Sequence, residues 1–144
     1  MIARQRRIPV EEGLFVDPAF SSEPPRLIAG HCRNCGEVMF PRQTLCGNCC
    51  QETVDQMLVG PRGHLYSYTS VHFAGPEVYG YKGPVPYGVG EIELPEGLLV
   101  TSPLTEHDID KLKIGMEMEL IVEKIYDDDE GSEIIGFKFK PVET

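Results

Sequence analysis

Residues 32–50 read Cys32-Arg-Asn-Cys35-Gly-Glu-Val-Met-Phe-Pro-Arg-Gln-Thr-Leu-Cys46-Gly-Asn-Cys49-Cys50, with two C-x-x-C steps ten residues apart. Each step lets a tight turn aim two thiolates at one ion, and four sulfurs at about 2.3 Å complete a tetrahedral shell. A shell of Cys32, Cys35, Cys46 and Cys49 leaves no position for water or substrate. It therefore points to a structural ion that folds a small ribbon, and away from Lewis-acid catalysis. Iron or an iron–sulfur cluster also suits four thiolates; zinc is the expected ion because structural four-thiolate ribbons commonly hold it. Four cysteines also permit two disulfides. The chain opens Met-Ile-Ala-Arg-Gln-Arg-Arg without an apolar signal stretch, however, so a reducing cytoplasm is the expected setting. Cys50 stands where the first knuckle has Gly36, a place suited to positive φ. It competes with Cys49 as fourth ligand, and the equal spacing of the two steps favours Cys49.

The chain has 144 residues and a net charge of −10. That length accommodates the ribbon plus a second small core. The charge is uneven. Residues 1–62 hold seven arginines and seven acids, whereas residues 63–144 hold six lysines and sixteen acids, so the second part carries the whole deficit. Nucleic-acid affinity depends on cations neutralising phosphates. An acidic second module therefore argues against DNA or RNA as a partner. Arg4, Arg6 and Arg7 form a basic start that suits either an anionic partner or a solvated, mobile terminus. No run of apolar residues reaches membrane-spanning length.

Pro9, Pro18, Pro24 and Pro25 break long helices, so residues 1–27 are expected to form an arm with at most short helical turns. Its apolar residues Leu14, Phe15, Val16 and Phe20 need cover from the ribbon or from another protein. Residues 28–60 are expected to hold the ribbon and a linker strand, with Phe40-Pro41 as a ribbon hydrophobe. Residues 61–144 turn to strand-like patterns. Leu65 to Phe73 is rich in Tyr, Thr, Ser and Val. Tyr87 to Leu94 and Leu98 to Pro103 make a hairpin about Pro95-Glu96-Gly97, and Thr105 to Leu112 reads as one or two helical turns with Thr105 as N-cap. Met116, Met118, Leu120 and Val122 alternate with glutamates. Ile135, Phe137 and Phe139 alternate with Gly136, Lys138 and Lys140, which places the lysines across from those glutamates. Five strands with a helical interruption before the fourth predict a mostly β chain ending in a closed barrel of the OB type.

The cysteine knuckles with Phe-Pro between them are followed by Gly63-His-Leu-Tyr-Ser-Tyr-Thr69, Pro86-Tyr-Gly-Val-Gly-Glu-Ile-Glu-Leu94 and Leu112-Lys-Ile-Gly-Met116. In this order they resemble the family once called domain of unknown function thirty-five. The resemblance covers about residues 28–142. It implies a rubredoxin-like zinc ribbon followed by a five-stranded OB-fold barrel, with zinc on Cys32, Cys35, Cys46 and Cys49. It further implies a noncatalytic partner of a thiolase-fold acyl-CoA enzyme, docked on the catalytic subunit beside its CoA channel. Small subunits of benzoylsuccinyl-CoA-type thiolases fit the size and architecture, and some relatives accompany acyl-CoA hydratases. The chain departs from the pattern at Cys50, where glycine is expected, and in its proline-rich arm.

A thiolase needs a nucleophilic cysteine, a histidine and a second cysteine in one pocket. Cys50 is the single cysteine outside the shell, and His31, His64, His72 and His107 lie in different segments. A binding module is the expected result. Residues 74–86 interleave glycines and prolines with Tyr79, Tyr81 and Lys82, and a loop of that length usually has a task. His72, at its edge, joins these three as a candidate contact to CoA or to the partner. A nucleic-acid-binding ribbon plus OB-fold and an autonomous hydrolase or transferase using Cys50 and a histidine are the competing classes, disfavoured by charge and by the missing constellation respectively.

Overall fold

Alternating apolar residues predict pleated strands with one buried face, and in the computed structural model Gly90, Ile92 and Leu94 face inward together, as do Met118 and Leu120. Residues 7–10, 13–18, 23–72 and 86–142 are described by the structure. Within them lie β1 (Arg7–Pro9), β2 (Phe15–Val16), β3 (Arg26–Cys32), β4 (Val38–Met39), β5 (Val54–Val59), β6 (Arg62–Val71), β7 (Tyr87–Glu93), β8 (Leu99–Leu104), β9 (Glu117–Asp127) and β10 (Glu133–Pro141).

β6, β7 and β8 form an antiparallel meander, β9 pairs with both β6 and β10, and a parallel contact from Phe139 to Leu104 joins β10 to β8. The order β6-β7-β8-β10-β9 thus returns to β6. This is the five-stranded Greek-key barrel of an OB-fold. Two bulges turn its strands: Tyr66 is the extra residue of β6 opposite β7, and Ile125 that of β9 opposite β10. Lys138 faces Ile121 in register and reaches diagonally to Glu123 at 2.7 Å, while Lys140 lies opposite Glu119 with its side chain exposed.

The ribbon sheet has β3 at its centre, with β5 along one edge and β2 and β4 on the other. β4 is two residues long, and the second knuckle is a turn feeding β5. The ends of β3 and β5 nearest the barrel contribute Leu27, Ala29 and Val59 to the same core as Leu65, Ile92, Leu120 and Phe139. Arg26 donates from Nη1 to the Gly60 carbonyl at 2.6 Å, which pins this join. Phe40 packs against that shared core and not within the ribbon alone: its ring meets Phe137 edge-on at 5.9 Å.

Apolar residues of the arm find their cover within this chain, against ribbon and barrel together. Leu14 and Phe15 are buried in the shared core, with Phe15 edge-on to Phe137 at 6.2 Å. β1 adds in parallel to β10 and β2 pairs with β3, so strand edges of both sheets capture the arm where its proline content had predicted turns. Arg7 grips Asp17 through two hydrogen bonds of 2.9 Å and lies 3.6 Å from Glu133, which ties β1 to the chain beyond β2. It is a structural cation, not part of a solvated basic cluster; Arg4, Arg6 and Phe20 lie outside the described residues.

The helical interruption is also smaller than predicted. Thr105 directly follows β8, its amide donating to the Phe139 carbonyl at 3.0 Å, and no helix starts there. Asp108 caps instead, and only Ile109–Lys111 is helical, as a 3-10 turn. This segment crosses close over β7. A Cβ at Gly88 would fall onto the Glu106 carbonyl, which accounts for glycine in Pro86-Tyr-Gly-Val-Gly90. Among the described residues no helix is long and apolar enough to cross a membrane.

Candidate functional site

Each C-x-x-C step folds the same way because the same backbone bonds recur fourteen residues apart. The Cys32 amide donates to Glu37 and the Gly36 amide back to Cys32; the Cys46 amide donates to Gln51 and the Cys50 amide back to Cys46. These turns bring the sulfurs of Cys32, Cys35, Cys46 and Cys49 within 4.8 Å of one another. The pairs Cys32–Cys49 and Cys35–Cys46 are each 3.6 Å apart. A regular tetrahedron with metal–sulfur bonds of about 2.3 Å requires sulfurs about 3.8 Å apart, so these two pairs lie near the spacing of a four-thiolate metal shell.

Hydrogen bonds surround the shell. The Cys35 amide approaches the Cys32 sulfur at 3.5 Å and the Asn48 amide that of Cys46 at 3.4 Å, while the Thr53 hydroxyl lies 3.1 Å from Cys32. Thr53, then the Cys35 and Asn34 amides, pull the Cys32 thiol down to about 6. At Cys46 the Cys49 and Asn48 amides favour the thiolate, but burial and the adjoining Cys35 and Cys49 sulfurs push it up to about 11. The two thiols divide in this way because Cys32 accepts hydrogen bonds that favour its thiolate, whereas Cys46 is buried and favoured in its protonated form by the sulfurs beside it. A dication in the centre removes the conflict and deprotonates all four.

Cys50 is not among the four and is exposed. Its φ is +61°, the left-handed conformation that Gly36 adopts in the first knuckle at +83°. A side chain there costs about 1–2 kcal/mol, partly offset by the smaller entropy that a non-glycine residue loses on folding. Cys50→Gly should therefore raise stability by roughly 0.5–1 kcal/mol with the zinc content unchanged, read by denaturant titration and elemental analysis. A loss of zinc from this variant would show that Cys50 contributes to the shell.

Of the candidate contact residues, His72 falls just after β6, while Tyr79, Tyr81 and Lys82 lie outside the described residues. His72 is not alone. A cleft of about 380 Å³ is lined by Ser70, His72, His107, Asp108 and Ile109, so two histidines from distant segments share one opening. The Glu106 carboxylate accepts the His107 and Asp108 amides at 3.1 Å each, which shapes one wall, and Asp108 is turned to cap the 3-10 segment. The buried Ser70 hydroxyl oxygen has no hydrogen-bond partner. Sequence reasoning missed His107 and Asp108 as cleft residues. They read as part of a helix, and nothing local to them reports β6.

Two family models match, described as the ChsH2 rubredoxin-like zinc ribbon domain over residues 23–52 and the ChsH2 C-terminal OB-fold domain over residues 57–123. A DUF35 domain-containing scaffold protein of Methanocaldococcus jannaschii is 34% identical over 120 residues, covering 82% of this chain and 83% of the relative. The chain belongs to the DUF35 family. A further relative is the benzoylsuccinyl-CoA thiolase subunit BbsA of Thauera aromatica, 32% identical over 118 residues, or 82% of this chain and 78% of that subunit. Among solved structures, a chain of the Ltp2-ChsH2(DUF35) aldolase superimposes with a TM-score of 0.62 at 27% identity, covering 81% of this chain and 84% of that one. The DUF35 pattern thus spans both the knuckles and the barrel described above.

Proposed function

We propose that this DUF35 protein is a noncatalytic accessory subunit of a thiolase-type acyl-CoA acyltransferase complex, docking on the catalytic subunit and covering its CoA channel. The observation that carries this reading is the similarity to a thiolase subunit across both the ribbon and the barrel. In this reading a structural zinc on Cys32, Cys35, Cys46 and Cys49 rigidifies the ribbon, and the partner supplies the nucleophilic cysteine. His72 and His107 offer imidazole donors at the cleft. With Tyr79, Tyr81 and Lys82 further along the chain they are proposed to meet CoA or the partner, the lysine as a point charge for phosphate and the tyrosines as interface anchors. The cytoplasm, where acyl-CoA is at hand and thiols stay reduced, is the proposed location.

The test is to purify the chain alone and together with a thiolase-fold subunit encoded beside it. Alone it should thiolyse no acyl-CoA, and together the activity should need both chains. Turnover by the isolated chain, or a fully active neighbour that never copurifies, would show the reading to be wrong. The aldolase complex among the solved relatives supports a second reading, in which the partner cleaves a carbon–carbon bond by retro-aldol chemistry. Free CoA separates the two, because thiolysis consumes it as the nucleophile and aldol cleavage does not.

A further inference from the structure

The four sulfurs of the shell are unequally protected. Cys32 and Cys46 are buried, whereas Cys35 is exposed and Cys49 half-buried. The two outer sulfurs receive side-chain amides. Asn48 Nδ2 donates to Cys35 Sγ at 3.5 Å, and Asn34 Nδ2 donates to Cys49 Sγ at 3.4 Å. Each asparagine is the third residue of its own C-x-N-C step, yet each reaches the outer cysteine of the opposite step. The arrangement is reciprocal, since the fourteen-residue shift that carries Cys35 onto Cys49 also carries Asn34 onto Asn48. A metal-bound thiolate can only accept, so chemistry dictates that each amide turns its nitrogen to sulfur. Both asparagines are exposed. Holding such a side chain costs rotamer freedom without gaining burial, which a bond to a charged acceptor offsets.

Four thiolates around a dication carry a net charge of about −2, and the outer pair is where a proton, a competing chelator or an electrophile arrives first. Hydrogen bonds from outside the shell drain electron density from a thiolate and fix its direction. The inner sulfurs obtain this from backbone amides and from Thr53; the outer sulfurs depend on the asparagines. We propose that Asn34 and Asn48 are positioning residues that cap the outer thiolates of the zinc shell crosswise, slowing metal loss and attack on sulfur.

The test uses the full zinc-loaded chain and the variants Asn34→Ala, Asn48→Ala, Asn34→Asp and Asn48→Asp. Zinc transfer to a chromogenic chelator is timed, and sulfurs alkylated by iodoacetamide, which leave iodide behind, are located by peptide mass mapping. Each alanine variant should lose zinc about tenfold faster, at the lower end of the effect usual for outer-shell residues. The pattern should be crossed, with Asn34→Ala exposing Cys49 and Asn48→Ala exposing Cys35. The aspartates keep the shape but remove the donor and add charge, so they should be faster still; if an alanine variant does not fold, its aspartate counterpart carries the comparison. Aspartate variants with wild-type rates, or alkylation enhanced at the cysteine of the variant's own step, would overturn the proposal. The zinc content of the unmodified protein reports separately on the shell itself, so failure of the caps and failure of the zinc reading are distinguishable.

Discussion

Cys35→Ser is expected to release the metal and unfold the knuckles, while the barrel keeps its structure. Among the described residues, the apolar support clustered with these cysteines is Val54, with Met39 packed beside it, far less than a module of this size needs to fold by burial. Metal binding, worth about 10–16 kcal/mol in small zinc modules, is therefore the folding energy of this end of the ribbon, and one lost thiolate removes a large part of it. The opposite end differs. Leu27, Ala29 and Val59 are anchored in the shared core, so unfolding should stop partway along β3 and β5. Hydrogen exchange should show amides from about residue 32 to 53 losing protection, with β7, β9 and β10 unchanged. A knuckle that stays folded without metal, or iron found by elemental analysis of the unmodified protein, would refute the zinc assignment.

Phe137→Ala is expected to destabilise the protein by roughly 3–5 kcal/mol, a large share of the 5–15 kcal/mol typical of a folded domain. Phe137 is 2% exposed and stands on β10 with Phe15 from the arm and Phe40 from between the knuckles both edge-on to it. Truncation removes the transferred surface, leaves a cavity, and breaks two aromatic pairs worth about 0.5–1.5 kcal/mol each. It also loosens all three parts of the chain at their common contact. Denaturant unfolding should show a lower midpoint, with Phe137→Leu falling between the two. A loss below about 1 kcal/mol would mean that arm and ribbon are held to the barrel elsewhere.

The metal shell was legible because its signal is local. Two cysteines three apart can share an ion whatever the rest of the chain does, and equal spacing favoured Cys49 over Cys50 as the fourth ligand. The barrel was legible for a related reason, since alternation along Met116 to Val122 and Ile135 to Phe139 marks inward faces strand by strand. The arm was not. Prolines predicted turns there, but pairing to β3 and β10 overrode that local preference, and burial of Leu14 and Phe15 stabilises a path that propensity alone disfavours. Thr105 shows the same override: its amide is bound to β10, and the helix begins three residues later than its capping pattern implied.

By itself the sequence determined which four cysteines come together, the strand faces and the order of ribbon before barrel, because each follows from spacing between near neighbours. Closure of the barrel decided the rest. It brought β6 beside the β8–β9 connection, so that His72 and His107 line one cleft, and it set Phe137 against Phe15 and Phe40. Turning the knuckles toward each other decided that Asn34 and Asn48 would reach across to the other step's sulfur. These are contacts between residues far apart in the chain, formed once strand pairing has met the loop-closure cost, and no local pattern encodes them.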